Sequence, residues 1–441
     1  MVSGAEAAFE RGSRWQAGVR ALRHRNFQLF FSGQLISLIG TWMQSVAQSW
    51  LVYRLTGSAL LLGSVGFASQ VPVFLFAPLG GITADRYNRR RIVIGTQVAS
   101  MLLAFILAAL TLSHAIDHRV WAIFVLAGLL GVVNAFDLPG RQSFLVDMVG
   151  REDLMNAIAL NSSMFNGARV IGPAIAGILV AKIGEGWCFF ANALSYIAVI
   201  VGLLMMRVQT PPRAAMGSPL EHMMEGFRFV NQTAPIRALL MLLGIVSLVG
   251  MPYVVLMPIF ADQILHGGAR GLGILMGATG VGALLGALTL AFRSGVKGLG
   301  RLVAWCCAGF GTSLVVFTLS RNFWVSVILL LPVGYFMMLQ MSSSNTLIQV
   351  MVPDALRGRV MAVYSMMFMG MAPIGALLGG ALAERLGAPH TVAIGGLASL
   401  LGAGWFALHL PKIRVEARRL IVAQAAAGGE PAEMTAQAVE D

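Results

Sequence analysis

Hydrophobic residues along this chain gather into about twelve long runs, at 27–52, 59–83, 92–113, 120–140, 156–181, 187–206, 236–262, 271–292, 302–319, 324–350, 360–383 and 391–410. Most run to roughly 18–25 residues, enough to cross about 30 Å of hydrocarbon at about 1.5 Å per residue. Hydrocarbon offers no partner to an open backbone amide, so each run is predicted to be a helix. The expected fold is an all-α membrane protein with twelve transmembrane helices.

The longest polar interval, 207–235, lies between the sixth and seventh runs. Pro211 and Pro212 stop a helix there. Leu220, Met223, Met224, Phe227 and Val230 then recur at helical spacing, as on an amphipathic helix at a membrane surface. The chain therefore divides into a basic N-terminal segment (1–25), a six-helix bundle (26–206), a linker (207–235), a second bundle (236–411) and a tail (412–441). From residue 420 the tail is rich in Ala, Gly and Glu and is expected to be disordered or loosely helical. The halves share one plan. Shifted by 203 positions, 141–184 falls on 344–387 without a gap: Gly167, Gly172, Gly177 and Gly184 meet Gly370, Gly375, Gly380 and Gly387, and Met164-Phe165 meets Met367-Phe368. A parallel repeat of six spans, pairing the fifth with the eleventh, is a mark of transporters whose pseudo-symmetric bundles flank a central site.

Composition agrees. The 441 residues are 57% hydrophobic and 11% charged, against about 25% charged in soluble domains. The net charge of +12 would suit nucleic acid, but its distribution argues otherwise. With the N-terminus in the cytoplasm and every span crossing, 24 Lys and Arg fall inside and six outside, leaving Arg169 within a span. That is the positive-inside pattern of a multi-pass protein in a cytoplasmic membrane, with both termini inside. No cleavable signal peptide is evident, so the first span is expected to insert uncleaved. Cys188, Cys306 and Cys307 have no metal spacing and read as packed thiols. The seven histidines form no cluster and no phosphate-binding loop is present, so no metal, cofactor, nucleotide or enzymatic chemistry is assigned.

Arg169 is the exception that calls for an explanation. A charge at mid-bilayer costs at least about 2.5–3.5 kcal/mol on insertion scales, so it should face protein or a wet cavity. Ser162 and Asn166 precede it on one side of span five. Gln34, Thr41, Gln44 and Gln48 from span one, Asn134 from span four, and Gln340, Ser344 and Asn345 from span ten are candidates to line the same cavity. Two roles stay open: a lock that bonds buried amides and carbonyls, or attraction of an anionic or electron-rich substrate, or of a group that couples protons. Pro173 frees the carbonyl of Arg169 and should bend the helix. Ala168, Gly172 and Ala176 form a stripe for close helix packing, continued by Gly177 and matched by Gly375 and Gly379 in span eleven. Met366, Met367, Met369 and Met371 in span eleven suit either a promiscuous apolar ligand or a sliding contact between bundles.

Between spans two and three stands "GGITADRYNRRR", residues 80–91. It resembles the G-x-x-x-D-R-x-G-R-R loop of the major facilitator superfamily through Gly81, Asp85, Arg86, Arg89 and Arg90. Asn88 replaces the second Gly, a mild departure because Asn tolerates the left-handed backbone of a tight turn. The resemblance implies a gate: Asp85 caps the start of span eleven when the cytoplasmic side is closed, and Arg89 pairs with an acid at the end of span four, the place taken by Asp137. The stretches 21–63 and 138–177 are similar to the enterobactin-exporter-like, or transmembrane secretion effector, branch. That branch implies secondary active export of a small organic molecule, siderophore-like or drug-like, by alternating access against proton entry, from a monomer that binds no nucleic acid. A nutrient importer or facilitator, or a scaffold or sensor reusing the fold, are the alternatives.

Overall fold

Short connections force successive helices to run antiparallel. Residue 184 alone separates the fifth helix from the sixth, and its repeat mate at 387 alone separates the last two. Both are glycines at φ +87° and +82°, values that a side chain would strain. The computed structural model describes residues 20–208, 219–293 and 295–427. Its helices are α1 (Arg25–Thr56), α2 (Ala59–Arg86), α3 (Arg89–Leu112), α4 (Trp121–Val149), α5 (Leu154–Ile183), α6 (Glu185–Met205), α7 (Pro219–Gln232), α8 (Ala234–Ile264), α9 (Gly268–Ala291), α10 (Leu299–Leu319), α11 (Phe323–Met351), α12 (Asp354–Leu386) and α13 (Ala388–Ala427). Side chains start several of them: Ser58 accepts from the Leu61 amide, Asn88 from Arg91, and Asn322 from Trp324 and Val325. Asn88 has φ −64° and ψ 111°, so it replaces the motif glycine as a helix cap and not as a left-handed turn residue.

Eleven of these helices are long and apolar enough to cross a membrane. The remaining long one, α1, spans 32 residues and is diluted by Gln34, Ser37, Thr41, Gln44, Gln48 and Ser49. It packs along α5 and α6 inside the first bundle, which buries Gln34, Ser37 and Gln44. The result is two six-helix bundles, α1–α6 and α8–α13, with α7 between them.

Three spans depart from the sequence pattern. Helix α4 continues to Val149, well past the apolar run that fades at 140. Helix α8 is α-helical over Ala234–Ile245 and Tyr253–Ile259 but has π-helical turns at Val246–Gly250 and Phe260–Ile264. Pro252 and Pro258 remove amide donors in this stretch and allow the ladder to slip. Helix α13 runs on to Ala427, and Ile413, Ala417, Leu420 and Ile421 pack on the core, so the start of the tail is ordered helix. The rest of the tail, segment 1–19 and the Pro-Pro linker lie outside the described residues.

The repeat glycines do equivalent work in each bundle. A Cβ on Gly172 would fall 3.0 Å from the Met43 amide nitrogen of α1, and one on Gly375 would fall 2.2 Å from the Leu248 carbonyl of α8. Inside the second bundle, a Cβ on Gly282 of α9 would stand 2.0 Å from the Leu331 carbonyl of α11. Gly282→Val is therefore expected to cost at least about 1–3 kcal/mol through overpacking. Gly404→Val in α13, where nothing lies within 4 Å, should be neutral. Thermal melting of the two purified variants checks this, and equal melting would contradict the close contact.

Candidate translocation pathway

The two bundles meet along two helix pairs, α5 with α9 and α2 with α12. On the face away from the arginine-rich 86–91 loop they touch backbone to backbone. A Cβ on Gly177 would lie 2.9 Å from Gly273 Cα, and one on Gly380 would lie 3.1 Å from Gly63 Cα. Hydrogen bonds cross the same seam. The Tyr53 hydroxyl donates to Asp262 Oδ2 at 2.7 Å. The Ser58 hydroxyl and the Leu60 amide both donate to Glu384 Oε2 at 3.1 Å. This face is sealed.

At mid-depth the helices still touch, with Gly370 of α12 against the Phe74 ring of α2. Here sits Arg169. Its guanidinium carbon lies 5.7 Å from the centroid of Trp42 in α1, a cation–π contact, and Trp42 packs edge-on against Phe165 at 5.6 Å. Buried Tyr253 of α8 lies within its electrostatic reach. Among the described residues the guanidinium makes no hydrogen bond or ion pair. Its own carbonyl, freed by Pro173, faces α9 at close range: a Cβ on Gly280 would be 2.9 Å from it. The charge thus faces protein from both bundles and not lipid.

Towards the arginine-rich face the bundles part. Beyond Phe74 and Gly370 a crevice of about 520 Å³ opens between α2 and α12, lined by Ala77 and Pro78 on one side and by Gly358, Ala362, Ser365 and Met366 on the other. Asp85, two turns beyond Pro78, is exposed and makes no ion pair among the described residues. Arg86 is also exposed, and a Cβ on Gly81 would meet nothing within 4 Å. The α12 end of the crevice is held instead by α7: Glu225 pairs with Arg359, and Gly226 packs on the Arg359 carbonyl.

Behind this opening the motif arginines tie the first bundle together. Arg89 is buried and pairs with Asp147 at 2.9 Å, not with Asp137. The reason is the extra length of α4: Asp147 lies at its true end, and Asp137 nearly three turns earlier. Asp137 is also buried; it pairs with Arg141 at 2.7 Å and accepts from Thr96 and Gln97 at 2.8 and 3.0 Å. Arg90 donates to the Leu203 and Leu204 carbonyls, capping the negative end of α6. Nearby, His24 hydrogen-bonds Asp153 ahead of α5 and, with Arg20, holds that carboxyl below its usual range.

The polar residues predicted to share one cavity divide. Thr41 and Ser162 are exposed, and Gln48, Asn134, Asn166 and Asn345 are half-buried. Gln34 and Gln44 are buried in the first bundle, where Gln44 accepts from Asn192 of α6 at 2.7 Å. Gln340 and Ser344 are 1% and 0% exposed within the second bundle. They do not line an open cavity, because one polar stripe on a helix serves both its own bundle and the gap between bundles. Gln340, Ser343, Ser344 and Ser247 also leave buried polar atoms without partners. Sequence reasoning missed Tyr253, Asp147 and the Tyr53–Asp262 bond. A tyrosine in an apolar run reads as core, and Asp147 lies beyond the point where hydropathy fades.

Two pseudo-symmetric helical bundles, sealed on one face and open on the other, with a charge between them at mid-depth, define a membrane transporter of the major facilitator type. The chain belongs to the transmembrane secretion effector family, whose model matches residues 16–430. It is 28% identical over 377 residues to the staphyloferrin A transporter of Staphylococcus aureus, covering 84% of this chain and 93% of that one. It is 27% identical to the multidrug efflux pump Tap of Mycolicibacterium fortuitum (85% and 93% covered) and 27% identical to the enterobactin exporter EntS of Shigella boydii (92% and 96%). These relatives are transporters, not enzymes. Among solved structures, the nucleoside transporter NupG superposes with a TM-score of 0.67 at 15% identity (88% of this chain, 99% of that one). A bacterial homologue of the iron transporter ferroportin in an inward-facing state gives 0.66 at 16% identity (87% and 98%).

Arg169→Ala is expected to reduce transport in proteoliposomes to near background while leaving yield and melting close to wild type. Arg169→Lys, which keeps the charge but loses the guanidinium fork, should fall between. Matched losses of transport and of folded protein would instead mark a packing role.

Proposed function

We propose that this protein is a proton-coupled exporter of small organic molecules, siderophore-like or drug-like, that works by alternating access in a bacterial cytoplasmic membrane. The arginine-rich face is the cytoplasmic one, as the positive-inside pattern argues. Both termini then lie in the cytoplasm. The molecule is captured open to the inside, ready to load substrate. A monomer suffices, because the pathway is built between the two bundles of one chain.

The observation that carries this reading is the asymmetry of the seam: glycine contacts and acid-centred hydrogen bonds on one face, a crevice with an unlatched Asp85 on the other. Closing α2 onto α12 would eliminate the crevice and bring Asp85 to the start of α12, where a carboxylate is favoured by free amides and the helix dipole. Arg169 is the group that attracts an anionic or electron-rich substrate. It keeps its own proton, so coupling runs through an acid, the substrate or water near it. The relatives' siderophore and drug exports support the substrate class.

Inverted vesicles containing the protein should accumulate a transported siderophore or drug only while an inward-acid proton gradient is imposed, and collapse of the gradient should abolish accumulation. Accumulation in right-side-out vesicles instead would mark an importer. No substrate-dependent exchange between states in either would mark a scaffold or sensor.

Asp85→Asn provides a second check. In the open state Asp85 makes no ion pair among the described residues, so the substitution weakens the closed state. One charge-assisted hydrogen bond is worth about 1.5–3 kcal/mol, so the open-to-closed ratio should rise at least about tenfold. Spin labels at Ala77 and Ala362, across the crevice, would report a larger long-distance population. An unchanged distribution would reject the gate.

A further inference from the structure

We propose that the second bundle carries a site for an anionic phospholipid of the cytoplasmic leaflet, separate from the pathway between the bundles. A cavity of about 100 Å³ lies where the start of α8, the start of α10, the end of α11 and the extension of α13 converge. Its walls are apolar: Leu239, Leu347, Met351, Phe406, Leu410 and Ile421. Phe406 and Met351 are each 1% exposed, so this is a pocket within the bundle and not a surface dimple. Its rim is basic. Lys297, Arg301, Arg414 and Arg418 all line it, and none of the described lining residues is acidic.

Apolar walls beneath a ring of cations match an amphiphile whose phosphate sits above hydrocarbon. Neither half of that match suits an inorganic anion, which gains nothing from Leu239 or Phe406, or a neutral lipid, which gains nothing from the arginines. The depth agrees. The same helix α13 exposes Leu401, Trp405 and Leu408 just before the basic turns begin, so the pocket lies at the depth where the apolar span gives way to the arginines. Basic pockets between helices on the cytoplasmic side are suited to acidic headgroups. At about 100 Å³ the pocket receives the glycerol backbone and first methylenes of one chain, leaving the remainder in the bilayer. The positive-inside rule explains why arginines lie on this face, but not why four converge on one apolar pocket with no acid among its lining residues.

The test is retention of phosphatidylglycerol by the full-length protein, taken from nanodiscs of equal phosphatidylglycerol and phosphatidylcholine and counted by native mass spectrometry. Wild type should keep one phosphatidylglycerol in preference to phosphatidylcholine. A triple variant, Arg301→Gln with Arg414→Gln and Arg418→Gln, should lose that preference by at least about tenfold, since each basic residue near an anionic surface contributes roughly fivefold. A control triple, Arg91→Gln with Arg151→Gln and Arg207→Gln, removes equal charge from exposed positions elsewhere on the same face and should retain the lipid. Ala417→Trp fills the pocket with every charge in place and should also release it. Retention by the first triple, equal loss from the control triple, or displacement by millimolar glycerol 3-phosphate would each overturn the site, the last by making it one for a soluble phosphate.

Discussion

Where Gly177 meets Gly273 and Gly63 meets Gly380, no side chain stands between helices of opposite bundles. Lipid supplies no hydrophobic force to push helices together, so association rests on close van der Waals contact, which small residues permit. These contacts lie on one face only. They hold the bundles together there while leaving the other ends free to separate, and the crevice beside Pro78 is the consequence. The bonds from Tyr53 to Asp262 and from Ser58 and Leu60 to Glu384 add polar closure to the same seam.

The glycine contacts also set the surroundings of Arg169. Gly172 lets α1 approach α5, which places Trp42 beneath the guanidinium; Gly280 lets α9 approach the freed Arg169 carbonyl. An aromatic face gives a cation electron density without taking up its hydrogen bonds. Among the described residues no acceptor takes up the five N–H donors of the guanidinium at the point where the bundles divide.

At the open face one helix end serves two masters. The start of α12 is held through Arg359 by Glu225 of the linker helix, while Asp85, across the crevice, is exposed and makes no ion pair among the described residues. The arginines of the 86–91 loop divide their labour accordingly. Arg89 and Arg90 bind α4 and α6 within the first bundle. The open face thus has two of the loop's arginines engaged within one bundle and an exposed carboxylate, Asp85, at its edge.

Much of this was legible in the residues themselves. Long apolar runs, the bias of arginines to alternate intervals, the 203-residue repeat and the lone Arg169 depend on hydropathy and spacing, which hydrocarbon reads directly from the chain. The loop 80–91 carried the family in the same local way. What the tertiary structure decided was direction and partnership. Hydropathy fades at 140 although α4 continues to 149, so only the folded chain gives Arg89 to Asp147 and not to Asp137. A stripe of glutamines on α1 looks uniform in sequence, yet each residue is rotated about 100° from the last, and only packing against α6 selects Gln44 for Asn192. Tyr253 reads as core in an apolar run and comes within reach of Arg169 only when the two bundles meet, whereas Trp42 reaches it inside the first bundle, where α1 packs on α5. Local physics chose the helices; which of their faces turned inward, and towards which partner, was settled by contacts between residues far apart in the chain.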